Sequence, residues 1–242
     1  MFNWLRSKKK KLARDVKTDL HSHLLPGIDD GSPDIETSLS LIRSLIDMGY
    51  EKLITTPHIM QDYYPNTPEI INKKLEELKS ALQQEGIKVS LEAAAEYFLD
   101  EFLIEKLKQK EDLLLISNKY LLFEMSFMSE SPYLKEFIFQ ARSAGLIPIL
   151  AHVERYNYYI DNLEAIEDIS ERGALLQLNI NSLTGYYSKP VQQLAEKMIN
   201  RKLVNVLGTD CHHHNHLELI KKAKGMKYYE KAVTLPLVNY TL

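Results

Sequence analysis

The stretch TDLHSHLLPGIDDGS, Thr18–Ser32, decides how this chain is read. An apolar run ends on two histidines two residues apart, and a pair of aspartates follows a Pro-Gly turn. Alternate residues of an extended segment point to the same face. His21 and His23 can therefore present both imidazoles to one ion, while Ser22 points away. Lys17–His21 is accordingly expected as a strand, with the aspartates in the loop beyond its C-terminal end.

Working outward, the same pattern repeats. Apolar runs at Lys52–Thr56, Val89–Ala94, Tyr120–Glu124, Pro148–His152, Leu175–Asn179 and Val204–Thr209 read as strands. Amphipathic stretches near Asp34–Met48, Pro68–Glu85, Asp100–Lys108, Pro132–Ala144, Leu163–Arg172, Pro190–Arg201 and Leu217–Lys224 read as helices. Ser32-Pro33, Thr67-Pro68 and Ser131-Pro132 place a hydroxyl before a proline, as at a helix start. Gly49, Gly86, Gly145 and Gly173 stand where helices should stop. Repeated strand–helix units without a linker predict an α/β fold, a closed or distorted parallel barrel. Neither a dinucleotide glycine fingerprint nor a phosphate-loop motif occurs.

Chemistry-bearing residues interrupt the pattern at one kind of place. His58 follows the second strand in TTPH, and Glu96 follows the third in AAAEYF. Glu124 ends the fourth, and His152 ends the fifth in AHVERY with Arg155 beyond it. Asp210 and His212 end the seventh in TDCH. In a parallel barrel all such ends share one rim. With Asp30 included, five histidines and four carboxylates are too many for one tetrahedral ion and suit two or three divalent ions. Nitrogen and oxygen donors without thiolates fit manganese, iron or zinc, and do not choose among them. Three dications would outweigh four carboxylates, which favours a bound phosphate dianion. Buried Glu96 and Glu124 each need a cation, a metal or a neighbouring Arg or Lys.

The set HSH…DDG, TPH, AEYF, FEMS, AHVERY and TDCH resembles the PHP (polymerase and histidinol phosphatase) superfamily. It is most similar to the bacterial manganese-dependent protein-tyrosine phosphatases of capsule and exopolysaccharide loci. The motifs keep the family's order over nearly the whole chain beyond Lys17. The resemblance implies a distorted (β/α)7 TIM-like barrel with a trinuclear site. His21, His23, Glu96 and Asp210 would hold one ion. Glu96 would bridge to a second, held also by Glu124 and His152, and Asp30, His58 and His212 would hold the third. Arg155 matches the family's phosphate-binding arginine, and Arg155, His58 and Asp210 are the implied catalytic residues, with His58 or the third ion assisting the leaving phenolate. The implied substrate is phosphotyrosine, typically on the tyrosine-rich tail of the bacterial tyrosine kinase that controls polysaccharide export. A small phosphomonoester such as histidinol phosphate is the alternative substrate. An amidohydrolase and a non-catalytic metal-stabilised binder are the rival classes.

Composition bounds these readings. With 242 residues and 45% hydrophobic content the chain can bury a sizeable core. Its net charge of -3 gives no sign of a nucleic-acid partner. No run is apolar enough to span a membrane, and a cytoplasmic protein is expected. Residues 1–17 read as a basic tail ahead of a single domain over 18–242: Phe2, Trp4 and Leu5 precede Arg6, Lys8, Lys9, Lys10, Lys11, Arg14 and Lys17. Such a segment is either a solvated arm or a peripheral contact with an anionic bilayer. The single cysteine, Cys211, lacks an arginine six residues on, where Leu217 stands, and is expected to face away from Asp210 and His212. Tyr97, Phe98 and Tyr156 read either as an aromatic wall for a tyrosine ring or as core packing. His213, His214 and His216 are expected in solvent or behind His212. The closing TLPLVNYTL is expected to pack on the barrel.

Overall fold

A computed structural model describes residues 15–242. The basic run Arg6–Arg14 lies outside the described residues. Val16 is fully buried, and Lys17 O accepts bonds from Glu51 N and Lys52 N, so the fold is under way by Val16.

Strands and helices alternate: β1 (Thr18–Asp19), α1 (Ile35–Asp47), β2 (Lys52–Thr55), β3 (His58–Ile59), α2 (Pro68–Gln84), β4 (Ser90–Ala93), β5 (Glu96–Phe98) and α3 (Glu101–Gln109). There follow β6 (Tyr120–Glu124), α4 (Leu134–Ser143), β7 (Ile147–Leu150), α5 (Leu163–Glu171), β8 (Leu175–Asn179), α6 (Lys189–Arg201), β9 (Val206–Gly208), α7 (His214–Lys224) and α8 (Lys227–Ala232). Every strand pairing is parallel. One sheet runs β1-β2-β4 and the other β3-β5-β6-β7-β8-β9. The result is a mixed α/β fold with a curled parallel sheet.

Two of the expected strands, seen as β2 and β4, are each followed by a short further strand that the sequence reading did not include. Pro57 carries no N–H for the ladder, so the second strand stops at Thr55 and resumes at His58. Its neighbour steps with it: Ala94 N bonds Thr55 O at 2.9 Å, Glu96 N bonds Pro57 O at 3.1 Å, and β3 then pairs with β5. His58 therefore opens a short strand of its own.

The first and last strands meet at a seam held by both backbone and side-chain bonds. Asp210 N bonds His21 O at 2.8 Å and His23 N bonds Cys211 O at 3.0 Å. Between them Thr209 donates from N and Oγ1 to the buried Asp19 carboxylate at 2.9 and 2.7 Å. At the opposite end buried Asn239 accepts from Leu207 N and donates to Leu207 O and Thr18 O. The closing segment thus packs on the sheet, as its apolar character implies, but its buried amide makes the join.

The helices bury one face each. In α1, Leu41, Ile42 and Leu45 are fully buried at the spacing of a helix stripe. Its N-cap is Asp34, which accepts from Thr37 N at 2.8 Å, not Ser32. Ser32 is buried and instead braces the loop, donating to Asp34 O and accepting from Ser38 Oγ. Thr67 caps α2 as expected, whereas α4 begins after Tyr133 with no side-chain cap. Helix α7 starts at His214, three residues earlier than its apolar pattern suggests.

Candidate metal centre

The nine residues predicted as ligands come together, His58 and Glu96 from the first positions of β3 and β5 and the others from strand ends and the loops beyond them. His21 Nε2 and His23 Nε2 are 3.3 Å apart, as same-face neighbours should be. Glu96, the first residue of β5, reaches most of the cluster. Its Oε2 lies 3.1 Å from His21, 3.4 Å from His23 and 3.3 Å from His58, and its Oε1 lies 3.1 Å from His152. Asp210 Oδ1 lies 3.3 Å from His21 Nε2 and 3.4 Å from His23 Nε2. Glu124 is 3.1 Å from His58 Nδ1 and 3.7 Å from His152 Nε2. Asp30 sits 3.4 Å from His58 and 3.5 Å from His212. Every ion pair formed by Glu96 and Glu124 among the described residues is with a histidine, and no lysine or arginine there pairs with either directly.

The paired aspartates divide their work. The Asp29 side chain is buried: one oxygen faces His23 Nδ1 at 2.8 Å, and the other accepts from Gly31 N at 3.0 Å. It holds His23 with Nε2 turned to the cluster. Asp30 is half exposed and faces His58 and His212. Gly31 is required here by space, since a Cβ at that position would lie 2.3 Å from His23 O.

Other supports were not singled out in the sequence. Gln177 Oε1, from β8, lies 3.1 Å from His21 Nδ1 and accepts from His152 N at 2.7 Å. The pair orients His21 with Nε2 free. Gln177 is a polar residue within the apolar run LLQLN, which is the signal that marks it. Buried Glu154 accepts from Asn179 N and Ser182 Oγ rather than pairing with Arg155, and burial raises its carboxyl to about 7. His152 and Asp210 adopt left-handed backbone, at φ 33° and 48°. Such conformations are costly for non-glycine residues and concentrate at functional sites.

Arg155 donates to Asp210 Oδ2 at 2.8 Å, and its guanidinium lies over Tyr187 at 4.2 Å and Phe127 at 4.8 Å. It lines an open cleft of about 730 Å³ that also exposes Asp30, His58, Glu124, Asp210 and His212. Of the two readings of the aromatic set, core packing holds for two residues and the wall for one. Tyr97 and Tyr156 are buried, their hydroxyls accepting from Leu114 N and Met125 N, and Phe98 alone of the three lines the cleft. Tyr63, Phe127, Tyr186 and Tyr187 supply the rest of its aromatic lining. Cys211 is buried in the seam, and burial pushes its thiol up, which suits a bystander. His216 is buried behind His212, with Nδ1 3.0 Å from Asp210 O.

The donor set fits divalent cations. Four overlapping groups, His21-His23-Glu96, His21-His152-Asp210, His58-Glu96-Glu124 and His23-Asp30-His58-His212, each bring their donor atoms within 4.8 Å of one another. Buried Glu96 Oε1 and His58 Nδ1 face neighbouring donors yet make no hydrogen bond. Lone pairs so placed are satisfied by a cation between them. The electrostatics agree. Burial disfavours the charged forms of Glu96 and Asp210, yet the surrounding imidazoles hold both carboxyls well below their usual range. Burial and His23 act to lower His58, but Glu96, Asp30 and Glu124 prevail and push it up to about 10. The centre is a field of negative potential seeking positive charge.

Comparison with known proteins agrees with this geometry. The family profile described as capsular polysaccharide synthesis, CpsB/CapC, matches residues 17–234. The CapC protein of Staphylococcus aureus is 29% identical over 194 residues, covering 80% of this chain and 76% of its own. Tyrosine-protein phosphatase YwqE of Bacillus subtilis is 27% identical over the same shares of the two chains. Tyrosine-protein phosphatase CpsB of Streptococcus agalactiae is 26% identical, over 80% of this chain and 82% of its own. A crystal structure from work on YwqE of B. subtilis and CpsB of Streptococcus pneumoniae, described there as unique metal-dependent tyrosine phosphatases, superposes with a TM-score of 0.80. It covers 90% of both chains at 24% identity. A zinc-bound histidinol phosphate phosphatase of Lactococcus lactis shares the fold more distantly, with a TM-score of 0.53 at 16% identity over 86% of this chain and 94% of its own.

Proposed function

The chain belongs to the CpsB/CapC family of capsular polysaccharide synthesis, and from that premise we propose that it is a metal-dependent phosphatase of protein phosphotyrosine. The observation that carries this reading is the buried cluster of imidazoles and carboxylates opening beside Arg155 into one cleft. His21, His23, Glu96 and Asp210 would hold one ion, Glu96, Glu124 and His152 a second, and Asp30, His58 and His212 a third, with manganese ahead of iron or zinc. Counting each interrupted strand once, the curled sheet reads as seven β/α units of a distorted barrel.

Divalent ions in such a centre supply Lewis acidity and lower the pKa of bound water. The chain's own residues do the rest. Arg155 grips phosphate oxygens in a two-pronged contact, braced by Tyr187 and Phe127. Asp210 holds the guanidinium toward the cluster. His58, at the mouth, would assist the departing phenolate, directly or through the third ion that it would help hold. Phenol is a fairly good leaving group, with a tyrosine pKa of about 10, so a dedicated strong acid is not needed. No side chain acts as nucleophile.

The substrate is read as the tyrosine-rich tail of a bacterial tyrosine kinase that governs polysaccharide export. Among the described residues no helix is long and apolar enough to cross a membrane. The reading is of a cytoplasmic enzyme, with residues 1–17 as a peripheral contact for an anionic bilayer. The test strips the purified protein with chelator and assays a phosphotyrosine peptide, histidinol phosphate and phenyl phosphate with and without Mn²⁺. Peptide turnover restored by Mn²⁺ is expected. Full activity without metal, or preference for histidinol phosphate, would overturn the reading.

A further inference from the structure

Seven large hydrophobic side chains stand exposed among the described residues, and four of them, Tyr63, Phe127, Met128 and Tyr186, line the one cleft beside the metal centre. Met128 is 89% exposed and Tyr63 72%. They come from three loops, after β3, after β6, and between β8 and α6. Scattered apolar residues on a surface mean little, but several gathered around one opening mark a binding surface. The rim is tied to the centre it surrounds. Tyr64, beside Tyr63, stacks on His58 with ring centroids 5.4 Å apart, and Phe127 packs against His152 at 5.5 Å.

The charge of the cleft narrows the occupant. Among the described residues Arg155 is the sole lysine or arginine lining it, and its guanidinium lies over Phe127 and Tyr187. No second lysine or arginine among the described residues lines it to pair with acidic flanking residues. A volume of about 730 Å³ falls in the range of about 300–1,000 Å³ that encloses drug-sized ligands, with room for more than one phosphorylated ring. With the phosphate at the ions and Arg155, the peptide on either side must cross the rim.

We propose that Tyr63, Met128 and Tyr186 form a specificity surface that selects phosphotyrosine flanked by apolar or aromatic residues. The proposal rests on the phosphatase reading of the same site and adds to it the class of sequence taken. Methionine's unbranched thioether lets such a surface adapt to more than one apolar neighbour. Aromatic rings add area at small entropic loss.

The test compares three substrates with the Mn²⁺-loaded full chain. Two phosphopeptides share length and net charge, one with leucine and tyrosine beside the phosphotyrosine and one with serine at both positions. The third is phenyl phosphate, which does not reach the rim. Wild type is expected to favour the apolar-flanked peptide about tenfold in kcat/KM, chiefly through KM. In Tyr63→Ala/Met128→Ser, two positions too exposed to unsettle the core, that ratio falls to near one, and the ratio of apolar peptide to phenyl phosphate falls with it. Equal rates on the two peptides in wild type, or a preference that survives the double substitution, would overturn the rim while phenyl phosphate turnover upholds the phosphatase. Turnover of none of the three would overturn both.

Discussion

Replacing Gly31 by alanine probes how tightly the first loop is built against the metal centre. The added Cβ would lie 2.3 Å from His23 O and 2.4 Å from His23 Cβ. Non-bonded carbon atoms settle at about 3.5 Å or more, so the segments must part by about 1 Å. Neither atom is the end of a flexible side chain, and Ser32 N bonds the same His23 O at 3.1 Å. The displacement would also drag Asp29, which accepts from Gly31 N with one oxygen and faces His23 Nδ1 with the other. His23 then loses its orientation. Overpacking of this kind costs about 1–3 kcal/mol of stability. Disturbing an outer partner of a metal-binding histidine costs about 10–100-fold in affinity, and a misplacement of about 1 Å costs on the order of 100-fold in rate. Thermal melting, calorimetric Mn²⁺ titration and phenyl phosphate hydrolysis measure the three quantities. Gly225→Ala is the control, because its Cβ would meet Lys222 O at an ordinary 3.5 Å. A Gly31→Ala protein that binds Mn²⁺ and turns over like wild type would refute the argument.

Asp29→Ala, which removes the partner of His23 but none of the nine proposed ligands, should weaken Mn²⁺ binding about 10–100-fold by calorimetry; unchanged affinity would return Asp29 to a mere turn residue. Arg155→Ala should lower kcat/KM about a hundredfold, while Cys211→Ser should keep phosphatase activity, and the reverse pattern would point to thiol chemistry. Because the neighbouring carboxylates push His58 up to about 10, it holds a proton at neutral pH that an incoming ion must displace. Mn²⁺ affinity should therefore rise with pH between about pH 6 and 9, with protons released; titrations in buffers of different ionisation enthalpy would expose a pH-independent site. Full-chain protein should co-sediment with phosphatidylserine vesicles at low salt. Replacing Lys8, Lys9, Lys10 and Lys11 with glutamine should weaken that binding by about 4 kcal/mol, at about 1 kcal/mol per lysine; equal sedimentation of both proteins would sink the idea.

Much of this molecule is legible in its residues. The alternation of apolar runs and amphipathic stretches specifies parallel strand–helix units, because side-chain period encodes which face of an element is buried. It also places His21, His23, His58, Glu96, Glu124, His152, Asp210 and His212 at or just beyond strand ends, hence on one rim. The pair His21-Ser22-His23 carries its own geometry, since two residues of an extended chain separated by one share a face. What periodicity does not encode is which distant group meets which. Asp29 rather than Asp30 turns inward because Gly31 lets the loop close on His23. Gln177 orients an imidazole 156 positions away only once the sheet has curled. The break at Pro57 puts His58 at the head of a further short strand, and Asn239 joins the first strand to the last from the far end of the chain. Tyr97 and Tyr156 read as wall or core in the sequence and are core in the fold, because their hydroxyls find backbone donors inside. Local propensity and pattern reside in neighbouring residues, whereas hydrogen-bond partners, buried charges and the lining of a cleft depend on closure of the sheet, and only the tertiary structure decides them.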